Sequence, residues 1–183
     1  MVSILSLWAP ILLSTVLVFI ASAVLHMVLP FHRKDYKQLP DEANALAALR
    51  GLPRGLYVFP YCSSGKEMGS PEMQEKYKRG PVGLLAVLPS GPPSMGKNLG
   101  QWFAYCLLVG IFVAYLAGRT LGAGIDYLAV FRFAGTVAFM AYGLGAVPNS
   151  IWRGEPWSNT FRGLVDGLIY SLLTAGCFGW LWP

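Results

Sequence analysis

Charge is scarce in this 183-residue chain: Asp, Glu, Lys and Arg make up 13% of it, about half of the roughly 25% usual in a soluble domain. That is too little to coat a water-facing globule, which excludes an ordinary soluble enzyme fold and a charge-rich disordered chain. Cysteine is scarce as well. The three present, Cys62, Cys106 and Cys177, show no CxxC or other paired spacing, so neither a disulfide framework nor a zinc ribbon is indicated. Histidine occurs twice, at His26 and His32, so a multi-histidine metal site or a bis-histidine haem needs both, or a second subunit. Neither histidine follows Cys62, and no nucleophile–base–orienter set or pair of catalytic carboxylates is visible. The sequence therefore assigns no catalytic residue, no cofactor and no metal ligand.

Apolar residues are what the chain has in abundance. They form 55% of it, with a mean hydropathy of +0.50. A bilayer core about 30 Å thick needs roughly 20 of them in a row as a helix, and four windows qualify. They run from about Ile4 to Leu29, closed by Pro30; from Trp102 to Gly118; from Tyr127 to Val147, ended by Pro148; and from Gly163 to Trp182. The fold class expected is an all-α membrane protein with four transmembrane helices. A small mixed α/β insert separates helices 1 and 2, giving segments 1–30, 31–100 and 101–183. Ala21-Ser22-Ala23 fits a signal-peptidase pattern, but the segment lacks a basic leader and stays apolar past it, so an uncleaved anchor is the better reading.

Cations orient the chain. Ten of the 14 Lys and Arg lie between Phe31 and Gly100, with Arg33, Lys34, Lys37 and Lys97 beside span ends. Their excess places residues 31–100 in the cytoplasm and the N-terminus outside. Tryptophans agree, with Trp8, Trp180 and Trp182 at the outer interface and Trp102, Trp152 and Trp157 at the inner one. The net charge of +5 is read as topology and contact with anionic lipid, not as nucleic-acid binding.

The insert reads as two short helices and two strands. One helix starts with Pro40 at its first position and Asp41 and Glu42 in its first turn, carries Arg50 in its last turn and stops at Gly51; another opens at Ser70-Pro71-Glu72 and stops at Gly80-Pro81. The strands are Leu56 to Phe59 and Val82 to Leu88. Two strands alone do not make a stable sheet, so the insert is expected to lie against the helix ends or a partner. Gly91 to Asn98 approaches a phosphate-binding loop. However, Asn98 replaces the needed hydroxyl and Pro92 and Pro93 remove amide donors, which leaves a stiff linker with Lys97 at the headgroups.

Intramembrane ionisable groups are functional candidates by default: His26, Arg132 and Asp166. At 1.5 Å per residue, Arg132 lies about 9 Å below the outer end and Asp166 about 6 Å from the inner one, so about 15 Å of depth in a 30 Å core argues against their pairing. Arg132 is expected to reach toward Asp126 or headgroups, and Asp166 to meet Arg162 or the loop at Trp152 and Arg153. Thr15, Ser22 and His26 share a helical face turned toward other helices, whereas His32 is about 120° off that face if the helix continues. Small residues repeat every four positions at Gly110, Ala114, Gly118 and Gly122, and again at Gly163 and Gly167. Such rows let helices approach closely in lipid, within one bundle or between chains.

Three stretches carry a resemblance: His26-Met27-Val28-Leu29-Pro30 with His32, Asp35-Tyr36, Leu39-Pro40 and Glu42; Gly91-Pro92 with Met95-Gly96-Lys97-Asn98-Leu99-Gly100; and Leu172-Leu173-Thr174-Ala175 with Phe178-Gly179-Trp180-Leu181-Trp182-Pro183. Together they resemble an uncharacterised family of bacterial four-span inner-membrane proteins across essentially the whole chain. The resemblance implies a bacterial origin and a shared four-span plan, and transfers no activity. The functional expectation is a non-catalytic structural or accessory protein that associates with itself or with a membrane complex through small-residue faces. A small transporter or channel using His26 and Asp166 is the first rival, and a membrane redox or haem protein the second.

Overall fold

The computed structural model describes all 183 residues and is mostly helical. Its four long helical stretches, Ile4–Val28, Met95–Thr120, Tyr127–Arg153 and Trp157–Trp180, are long and apolar enough to cross a membrane. These stretches make the chain a candidate multi-pass membrane protein. Two compact units divide it: Met1–Tyr36 with Ser94–Pro183, and Lys37–Pro93.

The first unit is a four-helix bundle. A 3₁₀ turn at Ile4–Leu7 leads into α1, Trp8–Ala23. After the second unit, whose elements carry the intervening numbers, come α5 (Met95–Thr120), α6 (Tyr127–Tyr142), α7 (Val147–Arg153) and α8 (Trp157–Trp180). Helix α1 packs on α5 and α8, and α6 packs on α5 and most extensively on α8, closing a ring of four. Val18, Val113, Val130 and Phe178 are wholly buried at its centre.

Span boundaries shift from those read in the sequence. Helix α5 begins at Met95 and α8 at Trp157, each at least a turn earlier than expected, because amphipathic first turns continue the helix beyond the apolar window. Pro148 does not end the third span. It sits at the start of α7, where its missing N–H has no intrahelical role, after a 3₁₀ turn at Leu144–Ala146. The Ser150 and Thr160 hydroxyls then bond to each other and join α7 to α8.

Small-residue rows are used mainly inside the bundle. A Cβ on Gly167 would lie 2.5 Å from Gly143 Cα, and one on Gly118 2.6 Å from the Val2 carbonyl oxygen. Gly110 rests against Ile11, and Ala114 is fully buried. Gly163 makes one ordinary contact with Ala146, and Gly122 faces open space.

The second unit contains α2 (Glu42–Leu49), β1 (Gly55–Phe59), α3 (Gly65–Met68), α4 (Pro71–Arg79) and β2 (Gly83–Val87). Asp41 caps α2 by accepting from the Asn44 amide, which leaves Pro40 outside the helix. Ser70 caps α4, and Gly80 closes it at φ +60°, a backbone that favours glycine. The strands pair antiparallel, with Leu56 opposite Ala86 and Val58 opposite Leu84. Helix α3 was not legible in advance. Its four residues are held by Ser64, which accepts from the Glu67 amide, while Glu67 accepts from the Ser63 amide and hydroxyl.

Candidate functional site

The polar chemistry of the bundle gathers where the first long helical stretch ends. Beyond α1 the backbone widens into a π turn at Val24–Val28, then breaks at Leu29, which is extended at φ −82°, ψ 146°. The break has a local cause: proline at position 30 crowds the preceding residue out of the helical region. A 3₁₀ turn at Pro30–His32 follows.

This break overturns the helical-wheel expectation for His32. The wheel set it about 120° from His26 on a continuous helix, but the widened turn and the extended residue fold the chain back. The two imidazoles stack with centroids 4.0 Å apart and planes 18° from parallel. Proline at position 30 was the available signal. In the sequence it marks the end of an apolar window; in the structure it also re-aims the next histidine.

Both rings face Asp166 of α8. His26 Nε2 lies 3.4 Å and His32 Nε2 2.9 Å from Asp166 Oδ2. The Asp166 side chain is only 7% exposed, His32 13%, while His26 is 48% exposed. On its other edge, His32 Nδ1 meets Asp35 Oδ2 at 2.6 Å. Asp35 is held in turn from α8, where Arg162 Nε donates to its Oδ1 at 2.8 Å and Asn159 donates to its carbonyl oxygen at 3.1 Å.

The sequence had paired Asp166 with Arg162 or with the loop at Trp152 and Arg153. Instead Arg162 is engaged with Asp35, and Asp166 belongs to the histidines. Nothing in the sequence marks Asp35, which lies outside the apolar windows where charge is conspicuous.

Arg132 stands apart from this group, as depth predicted. It is exposed and lines two open grooves, one with Leu121, Ala129 and Phe133, the other with Phe139, Leu168 and Ser171. It does not bond Asp126, whose carboxylate caps α6 by accepting from the Leu128 and Ala129 amides. The polar stripe on α1 does face the bundle. Thr15 and Ser22 are buried, and the Trp102 indole N–H donates to Ser22 Oγ at 2.7 Å. Tyr170, one turn beyond Asp166, packs edge-on against Trp102 and Tyr142.

Of the sequence candidates, then, His26 and Asp166 come together and Arg132 does not join them. Comparison with known proteins finds no matching family model, no matching curated protein and no matching solved structure.

Proposed function

We propose that this is a non-catalytic accessory protein of the bacterial inner membrane, which associates with itself or with a membrane complex. In this reading the N-terminus lies outside, and residues 31–100 face the cytoplasm. The observation that carries it is an exposed apolar sheet face. Leu56, Val58, Leu84 and Ala86 share one side of the β1–β2 pair, and all four are exposed. A two-stranded sheet is marginal in water by itself. A contiguous exposed apolar patch on a folded unit is a common mark of an interaction surface. The four helices would supply the anchor and the insert the contact.

The test is mild detergent extraction followed by native mass measurement. The expected result is a species heavier than one chain, which returns to monomer in Leu84→Asp while the helical content is kept. A strict monomer with no companion under the gentlest extraction overturns the reading. A reporter fused at residue 65 tests the orientation separately, and its export would reverse it.

The contact between His26 and Asp166 favours a second reading, a small transporter whose path uses this pair. Flux in reconstituted vesicles should then fall in Asp166→Asn and His26→Ala. Flux no greater than background leak removes it.

A further inference from the structure

Two imidazoles and a carboxylate that converge from separate segments can do more than hold a chain end in place. We propose that His26, His32 and Asp166 bind one divalent first-row transition metal ion of the zinc class, with a further coordination position open to water.

The first support is distance. Donor atoms about 2.0–2.1 Å from a common ion lie about 3.4 Å apart in a tetrahedron and about 2.9 Å apart in an octahedron. His26 Nε2 and His32 Nε2 lie 3.4 Å and 2.9 Å from Asp166 Oδ2, which spans the same range. One donor atom from each of the three residues falls within 4.8 Å of the others, and the half-exposed His26 ring turns out of its stack on His32 for both lone pairs to meet one ion.

The second support is unsatisfied polarity. His32 Nε2 and Asp166 Oδ1 are both buried and neither has a hydrogen-bond partner, although His32 Nε2 is only 2.9 Å from the other oxygen of Asp166. With Nδ1 donating to Asp35, the neutral His32 ring presents a lone pair at Nε2. That lone pair and the carboxylate are then two acceptors in close opposition, an arrangement that a shared cation relieves. A proton on Nε2 is the competing solution, but the pair lacks hydrogen-bond alignment.

The third support lies behind the donors. Metal-bound histidines usually donate their other ring nitrogen to a carboxylate, which fixes tautomer and orientation. Asp35 holds His32 in this way at 2.6 Å, and Arg162 fixes Asp35. Asp35 is a positioning residue here, not a ligand. The half-exposed His26 leaves one side open for an ion to enter and for water to complete the coordination. An imidazole and carboxylate set suits zinc, cobalt, iron or manganese better than a soft ion that needs thiolates.

The inference does not depend on the accessory role and is tested apart from it. The 183-residue chain in detergent, carrying Cys62→Ser to remove the partly exposed thiol, is loaded with zinc, desalted and assayed for metal per chain. One equivalent should be retained, and cobalt in its place should give a visible ligand-field absorption. Asp166→Asn and His32→Gln should abolish retention. Asp35→Asn should weaken affinity about 10- to 100-fold. His26→Gln alters a half-exposed side chain and keeps the test decisive if the buried variants misfold; its loss of affinity should be at least as large as that of Asp35→Asn. Failure of the parent protein to retain zinc overturns the proposal. So does equal retention in the parent and in His26→Gln, which would mark an adventitious ion only.

Discussion

Val18, Val113, Val130 and Phe178 have no accessible surface at the centre of the bundle, whereas Met73 is the one buried residue between Lys37 and Pro93. The two units also differ in how their local order is made. The bundle has little side-chain capping at its helix ends and depends on close approach: α8 meets the end of α6 backbone to backbone at Gly167 and Gly143. In the insert, capping is frequent. Asp41, Ser64 and Ser70 each bind the amide three residues on, and Glu67 reaches back to Ser63. Caps fix where short helices begin, but each contributes only about 1 kcal/mol and none supplies a core. Local signals can thus specify the shape of a small unit without supplying what makes it stable alone.

The sharpest way to break this contrast is to fill the closest approach in the bundle. Gly167→Leu would force a side chain into the Gly143 backbone, and overpacking costs about 1–3 kcal/mol and occasionally more, with the upper end expected where backbone meets backbone. We expect failure to accumulate, or a much lower melting temperature in detergent. Gly122→Ala is the matched control. It belongs to the same sequence pattern but meets nothing within 4 Å, and should shift stability by no more than about 0.5 kcal/mol. Equal effects would mean that the small-residue rows do not act through packing inside the chain.

A middle-sized effect belongs to the insert. Met73 is 4% exposed, and Met→Ala in a full core costs about 2–5 kcal/mol. With no other buried residue in the unit to form a full core, Met73→Ala should fall at or below the low end of that range. It should speed proteolysis between Lys37 and Pro93 while leaving the melting of the bundle unchanged. A matching fall in bundle stability would show that the two units unfold together.

What could be read in advance follows the same division. The four long apolar helices were legible because stretches of about twenty mostly apolar residues have few alternatives. The ends of α4 were legible because its signals are local, whereas Pro40, expected as the first residue of α2, lies outside it before the Asp41 cap. The His26–His32–Asp166 group was legible only in part. Depth along a straight helix separated Arg132 from Asp166 correctly, but the same straight helix misplaced His32. The π turn and the extended Leu29 are backbone choices that a helical wheel does not contain. Asp35 was hidden for another reason. Its partners, Arg162 and Asn159, lie more than a hundred residues away, and no spacing rule links them.

The smallest effect sharpens the comparison at the surface of α4. The Lys76 ammonium, 2.8 Å from Glu72 Oε1, holds the Glu72 carboxyl below its ordinary value of 4.5 through a hydrogen bond and direct attraction. A carboxyl whose folded value is depressed adds stability above its unfolded value, and that contribution is lost as pH falls through the folded one. The pair should therefore favour α4 at neutral pH and stop doing so in acid below the ordinary carboxylate range. Both groups are exposed, so the effect belongs to local helix order and should not register in the melting of the bundle. Titrating the Glu72 carboxyl by NMR should give a value below 4.5 that rises in Lys76→Gln and rises with added salt. No change in either case would show that the contact does not persist in solution, leaving the Ser70 cap and the glycine at position 80 to define α4.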